Sequence, residues 1–261
     1  MATLVTFHAH PDDESIATGG VMAKAAEEGH RVVLAVATRG EHGEVADGFL
    51  DPGEELGQRR VQETLACAEV LGVARVEFLG YVDSGMVGTP ENDLPGSFWQ
   101  ADVEEAAGRL AAILTEEKAD VLTVYDENGN YGHPDHIQVH RVGVRAAELA
   151  GTPRVYMSTI NRNHVARSFQ LAAEAGVDLP RDIEIGELGV SEDRITTTVD
   201  VRPWLARKRA GMVAHASQIA ETSFFLTLDP TMFESAFGQE WFIRCDAGPG
   251  LVEIDLFDGI P

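Results

Sequence analysis

Between Leu4 and about Arg154, short apolar runs alternate with stretches whose apolar residues recur at helical spacing, and this alternation restricts the fold more than any other feature. The runs Leu4–Phe7, Arg31–Thr38, Arg75–Leu79, Val121–Tyr125 and Arg154–Met157 are mostly rich in Val, Leu or Ile, as parallel strands buried on both faces tend to be. Between them Thr18–Glu28, Leu56–Leu71, Asp102–Lys118 and Pro134–Ala150 read as helices. Val61, Leu65, Ala68 and Leu71 would line one helical face, with Gly72 as its stop. Gly29 and Gly151 close their helices in the same way. The pattern implies an α/β fold: a Rossmann-like, doubly wound, mainly parallel sheet with active-site loops at strand carboxyl ends. After Met157 the pattern loosens. Arg162–Ala175 looks helical, Ile195–Val201 strand-like, Trp204–Ile219 helical, Met232–Phe237 weakly helical, and Glu240–Arg244 an edge strand. The expectation is one domain over 1–261: a core over about 1–157 and an extension over about 158–261 that helps form the pocket.

The first strand runs directly into His8-Ala9-His10-Pro11-Asp12-Asp13-Glu14-Ser15. A carboxyl-terminal strand end that opens onto a helix start is where α/β proteins place their chemistry. An imidazole and a carboxylate three residues on can reach one Zn²⁺, leaving the carboxylate between them free as a base. The competing reading is a turn in which Asp13 or Ser15 caps the next helix. A second cluster, Tyr131-Gly132-His133-Pro134-Asp135-His136 with His140 beyond it, favours the metal. It follows the fourth predicted strand, and in a parallel sheet the loops after the first and fourth strands open on the same edge. Pro134 suits a first helical turn, which puts His136 and His140 on one face. Spacing alone does not choose the ligand among His133, His136 and His140. Two long insertions, Arg39–Glu55 and Gly80–Ala101, also leave strand carboxyl ends and are expected to form pocket walls.

A formal net charge of -23 with no Lys/Arg-rich run argues against nucleic acid and against an anionic membrane surface as partners. A small molecule is the expected partner, and oligomeric state is left open. The two cysteines, Cys67 and Cys245, have no neighbouring thiol and are expected as small buried apolar residues. Met1-Ala2-Thr3 enters a strand pattern at once, without a basic n-region, and no apolar run is long enough for a span, so a cytoplasmic location is expected.

His10-Pro11-Asp12-Asp13-Glu14 and His133-Pro134-Asp135-His136 resemble the paired signatures of the PIG-L/LmbE-like zinc N-deacetylases. The resemblance is nearest to the actinobacterial branch with the N-acetylglucosaminyl-inositol deacetylases and mycothiol S-conjugate amidases. It covers the chain from Val5 to about Gly151. Arg39-Gly40-Glu41-His42-Gly43-Glu44, Asp83-Ser84-Gly85-Met86, Tyr125-Asp126-Glu127-Asn128-Gly129 and His215-Ala216-Ser217-Gln218 also look like that branch. The resemblance implies His10, Asp13 and His136 as Zn²⁺ ligands, with water completing the site and Fe²⁺ as an alternative metal. Asp12 would be the general base. His133 would act outside the metal shell on the oxyanion or the leaving nitrogen, and Tyr131 would polarise the acetyl carbonyl. The proton for the leaving amine could come from Asp12 or from His133. Arg60 and Asp83 match contacts to sugar or inositol hydroxyls, although Arg60 also suits a solvated helix position, and His140 is expected to orient a ligand from behind. For His8, His30, His42 and His164 a structural role is expected.

The resemblance departs at three places. Ala17 stands where a polar ligand-contacting residue is usual, Asn130 replaces a glycine, and Thr222-Ser223-Phe224-Phe225-Leu226 matches neither relative. The expected function is removal of acetyl from an N-acetylglucosamine-type amino sugar or its conjugate by a metal-dependent hydrolase. Its rivals are an amidase for mycothiol-like thiol conjugates and a deacylase for a natural-product or lipid-linked amino sugar, distinguishable by pocket size. A rival of another class is a non-catalytic Rossmann-like binding protein. The first turn, however, lacks a GxGxxG and places carboxylates where a phosphate would sit.

Overall fold

A computed structural model describes residues 1–174, 185–248 and 250–260. Seven strands form one sheet: β1 (Thr3–His8), β2 (Arg31–Val36), β3 (Arg75–Phe78), β4 (Val121–Tyr125), β5 (Arg154–Thr159), β6 (Thr197–Asp200) and β7 (Gln239–Arg244). Their order is β3-β2-β1-β4-β5-β7-β6. The first five are parallel, while β7 runs antiparallel to both β5 and β6. The fold is therefore α/β with a mostly parallel sheet, as the alternation predicts. Glu240–Arg244, expected at the edge, is interior. One side of β7 pairs with β5 (Met157 opposite Ile243) and the other with β6 (Thr198 opposite Trp241), which leaves β6 as the edge.

The helices are α1 (Asp13–Ala17), α2 (Gly19–Glu27), α3 (Leu56–Leu71), α4 (Val103–Glu117), α5 (Gly129–Gly132), α6 (Pro134–Ala150), α7 (Arg162–Glu174), α8 (Leu205–Ala214), α9 (Phe224–Thr227) and α10 (Pro230–Phe237). Asp102 and Lys118, read as helix ends, are the caps of α4, and the Asp102 carboxylate accepts from Glu105 N. Ala175, expected at the end of α7, lies outside the described residues. The helix expected over Trp204–Ile219 stops at Ala214, because the next residues turn back towards the first strand–helix junction. The single helix expected from Thr18 is preceded by a separate short one, α1, with Thr18 at φ -135° between them.

Alternate residues of the central strands feed two cores, as a pleated strand requires. Val5, Phe7, Val33 and Ala35 pack towards α4 and α6 with Leu110, Val139 and Val142. Leu4, Val32 and Leu34 point the other way, to Met22, Leu71, Tyr156 and Phe242. On α3 the expected face is buried only in part: Ala68 and Leu71 are inside but Leu65 is exposed, and the inward face also carries Arg60, Glu63, Thr64 and Cys67. Cys67 is buried as expected, whereas Cys245, in the turn that follows β7, is exposed. No helix among the described residues is long and apolar enough to cross a membrane.

Strand order reverses between β1 and β4, so the chain leaves their carboxyl ends towards opposite faces and opens a crevice there. The close approach of α6 to β4 rests on Gly143, where an added Cβ would lie 2.3 Å from Val124 Cγ1. Gly143→Ala is expected to lower unfolding free energy by about 1–3 kcal/mol through overpacking. Urea unfolding with an unchanged midpoint would contradict that reading of the interface.

Candidate active site

At the end of β1 the chain makes a turn that an aspartate does not favour: Asp12 has φ 101° and ψ -35°. Its carbonyl accepts from Ser15 N (3.0 Å) and Ile16 N (3.3 Å), which starts α1, and its own N–H donates to Glu14 Oε2 (3.0 Å). Glu14 is itself held by His215 Nε2 at 2.6 Å, and both side chains are fully buried. Ser217, two residues further on, donates through its N–H and hydroxyl to Glu63 on α3 (2.8 and 2.6 Å). The His215-Ala216-Ser217-Gln218 motif is thus a brace for the first turn. Arg60, one helical turn before Glu63, completes it. Its guanidinium donates to Gly40 O (2.9 Å) and Pro11 O, and lies 3.3 Å from Asp12 Oδ1. Gly40 has φ 63°, and a Cβ there would sit 2.1 Å from Arg60 Nη1, so this position demands glycine.

Asp13 Oδ2 lies 3.4 Å from both His10 Nδ1 and His136 Nε2. Two ligands of one tetrahedral Zn²⁺, each about 2.0–2.1 Å from the metal, stand about 3.3 Å apart, so the Asp13 oxygen stands at ligand-to-ligand distance from each of the two nitrogens. The other nitrogen of His10 faces Asp135 Oδ2 at 3.1 Å. This carboxylate is fully buried and fixed by Ser84 N (2.9 Å) and the Ser84 hydroxyl. A carboxylate on Nε2–H leaves the Nδ1 lone pair directed at the metal position. Electrostatics agree. Burial disfavours a charged His10, yet Asp13, Asp135 and Asp83 outweigh it and hold the imidazole pKa well above its usual value. The site therefore favours positive charge at this point, which a divalent cation would supply. Asp13 shows the converse: burial opposes its charge, but His136 and His10 keep its carboxyl well below the usual range.

The loop after β4 brings the second cluster in. Asp126 Oδ1 accepts from Asn128 N and Asn130 N, each at 3.0 Å. Asn130 takes the left-handed backbone, φ 65°, that its glycine counterpart would. A Cβ on Gly129 would lie 2.6 Å from His136 Cβ, so the bare backbone lets the loop close over the ligand helix. His133 is the N-cap of α6, its Nδ1 accepting from Asp135 N at 3.1 Å. In the neutral ring the proton must then sit on Nε2, facing the site. Burial first, then His10 and His136, push the His133 pKa down to about 4. Tyr131 places its hydroxyl 3.4 Å from His136 Nε2, and burial of the phenol raises its pKa. His140 bonds the Tyr125 carbonyl (3.0 Å), and the Tyr125 ring stacks on His136 at 4.4 Å, so His140 reaches the ligand only through the end of β4. His8 is a buried structural residue as expected, bridging the Tyr125 hydroxyl and Thr18 Oγ1, each at 2.8 Å.

Arg60 and Asp83, matched by resemblance to hydroxyl contacts, are engaged within the protein. Arg60 is only 3% exposed, not a solvated helix residue. Asp83 lies 3.4 Å from His10 Nε2 and accepts from Gly85 N (2.8 Å) and His42 N (3.2 Å). Both still line a cavity of about 1060 Å³ that opens over the metal cluster and takes in both long insertions. Sequence reasoning gave no role to Asp135, Glu14 or Glu63, although Asp135 and Glu14 stand inside the motifs themselves.

Three comparisons bear on this site. The profile of the PIG-L family, described as GlcNAc-PI de-N-acetylase, matches residues 5–147. A 1D-myo-inositol 2-acetamido-2-deoxy-alpha-D-glucopyranoside deacetylase of Thermomonospora curvata is 42% identical, covering 97% of this chain and 95% of its own. Its counterpart in Acidothermus cellulolyticus is 41% identical over 99% and 95%. Among solved structures, the N,N'-diacetylchitobiose deacetylase of Pyrococcus horikoshii superposes with a TM-score of 0.59 at 21% identity, over 99% of this chain and 86% of the other; at that identity it speaks for the fold.

Asp135→Asn, which removes the negative charge behind His10, is expected to weaken metal binding about 10–100-fold. Competition against a chelator would measure this, and unchanged affinity would remove Asp135 from the metal's support.

Proposed function

The chain belongs to the PIG-L family of de-N-acetylases, and from that membership we propose that it hydrolyses the N-acetyl group of an N-acetylglucosamine-type amino-sugar conjugate, with Zn²⁺ held by His10, Asp13 and His136. Acetate and the free amine are the products. The observation that carries this reading is the different company of two adjacent carboxylates: Asp13 lies 3.4 Å from two imidazole nitrogens, while Asp12, lining the same cavity, lies 3.3 Å from the Arg60 guanidinium. Two nitrogens and one carboxylate oxygen suit Zn²⁺ and would also accept Fe²⁺.

Zn²⁺, when bound, supplies Lewis acidity that polarises the acyl carbonyl and brings the pKa of water down to about 7. The protein's own groups do the rest. Asp12 takes the proton of the attacking water. Burial, opposed by Arg60 and reinforced by Asp13, lifts its pKa to about 6, close to the value a base working near neutrality needs. The two candidate donors to the leaving amine then separate. His133, with Nδ1 engaged by Asp135 N and a lowered pKa, is neutral at pH 7 and has only an Nε2–H to offer as a hydrogen bond. That suits it to stabilising the developing oxyanion. Asp12, protonated after the first step, is left to deliver the proton to the amine. Tyr131, a protonated phenol near neutrality whose hydroxyl lies 3.4 Å from His136 Nε2, donates to the same carbonyl oxygen.

Asp12→Ala should keep its metal in elemental analysis while losing most turnover; loss of metal would move Asp12 among the ligands. A base must be deprotonated to act, so in the wild type kcat/KM should fall as pH drops through about 6 or lower, since a bound cation draws the Asp12 pKa down. His133→Ala should lower kcat about 10²–10⁴-fold, as for a lost acid-base or oxyanion group. An unchanged kcat in that variant would end the role assigned to His133.

A further inference from the structure

The cavity over the metal cluster is larger than an acetylated sugar ring needs. Its volume of about 1060 Å³ stands at the top of the range of about 300–1,000 Å³ typical for drug-sized ligands. Its two ends differ in chemistry. Around His10 the lining is polar, with Asp83, His42 and Glu91 among its members. The opposite wall is built by the C-terminal extension: Val165 and Phe169 one turn apart on α7, Phe224 and Phe225 on α9, and Phe237 at the end of α10. Ile16 of α1 closes it towards the metal. All six are half-buried, their remaining surface turned to the cavity. The aromatic rings brace one another edge to face, Phe224 to Phe225 at 6.2 Å and Phe225 to Phe237 at 5.8 Å.

Ser168, Gln239 and Trp241 also line this end, while its charged groups are engaged inside the protein. Lys208 Nζ donates to Glu240 Oε1 at 2.6 Å, with both side chains at most 2% exposed. Glu240 also accepts from Gly20 N and Val21 N at the start of α2 (2.7 and 2.9 Å). His164 Nε2 is bonded to Ser235 O at 2.8 Å. Against the rings themselves a polyhydroxylated group would lose hydrogen bonds to water without replacing them. An alkyl or aryl group would lose nothing.

We propose that this wall binds an apolar aglycone, an alkyl or aryl group on the anomeric carbon of the acetylated amino sugar, and that Phe169, Phe224 and Phe225 determine specificity for it. The proposal rests on the N-deacetylase reading above and adds the class of conjugate. Release of acetate requires only a small acyl slot at the metal, so the room beyond falls to the other end of the substrate. Thr222–Leu226 supplies two rings of the wall, Phe224 and Phe225, and Ala17 lies in the same cavity.

The test compares acetate release by the metal-loaded protein from four probes. They are the methyl and heptyl glycosides of N-acetylglucosamine, N-acetylglucosaminyl-inositol, and methyl N-octanoylglucosaminide, with octanoate read for the last. Each buried methylene is worth about fourfold, so a half-seated heptyl chain should raise kcat/KM roughly 60-fold over methyl, mainly through KM. Phe224→Ser and Phe169→Asn should each shrink that ratio about tenfold or more. Equal rates for heptyl and methyl, or an inositol conjugate better than heptyl, would overturn the proposal while leaving the deacetylase reading intact. Preference for the octanoyl probe without a heptyl advantage would assign the wall to the acyl group and overturn it as well. Calorimetry separates the two readings: if no probe is hydrolysed, the N-deacetylase reading fails. Tighter binding of heptyl than methyl, with negative heat-capacity change, would still support the apolar wall, and equal binding would end it.

Discussion

Holding a non-glycine residue at φ 101° costs about 1–3 kcal/mol, and at Asp12 contacts from two distant parts of the chain offset that cost. Glu14, one turn of backbone away, takes the Asp12 N–H and is held by His215. Arg60 grips the Pro11 carbonyl and the Asp12 carboxylate, and Glu63 holds Ser217 beside His215. Helix α3 acts as a crossbeam, one end of its buried face tied to the catalytic turn and to the C-terminal brace. This arrangement gives two adjacent aspartates different partners at one cavity: Arg60 for Asp12, His10 and His136 for Asp13.

The same region concentrates negative charge. Asp13, Asp83 and Asp135 face His10 from three elements, and the sheet topology brings them there: the crevice between β1 and β4 admits both metal-bearing turns and the loop after β3. Burial would ordinarily strip a histidine of its proton, and here the carboxylates win. A protein that raises a buried imidazole's pKa in this way has built the field for a cation before the cation arrives. Asp13 Oδ2, 3.4 Å from a nitrogen of His10 and from one of His136, gives that field a location.

Much of this was legible in the sequence, and the gaps have physical causes. The five parallel strands and helices α3 and α6 stood out because buried strands are continuous apolar runs and because Gly72 and Gly151 punctuate their helices. The buried face of α3 was misread because periodicity counts apolar residues, while this helix turns Arg60, Glu63 and Thr64 inward and leaves Leu65 to solvent. A buried polar face has no hydrophobic period to find. The position of β7 was hidden for a similar reason. Its pairing partners are far away in sequence, and alternation within the strand cannot tell an edge from an interior one. The two His/Asp motifs were readable by resemblance, but Asp135 meets His10 across 125 positions, a relation that local spacing does not express. The aromatic wall was invisible because α7, α9 and α10 are short or amphipathic elements whose half-buried rings look like ordinary packing residues.

Glu240 on β7 caps the start of α2 across 220 positions, and His215 reaches Glu14 across 201. On a ribosome adding about 5–20 residues per second, the first strand and its turn wait roughly 10–40 s for the residues that complete them. The catalytic turn is therefore assembled last although it is made first. A nascent chain carries the motif without the conformation, and binding of metal to the emerging His10 and Asp13 would precede the support that makes it productive. Such long-range closure raises the contact order and slows folding. It also ties the conformation of the first turn to residues as far along the chain as Glu240.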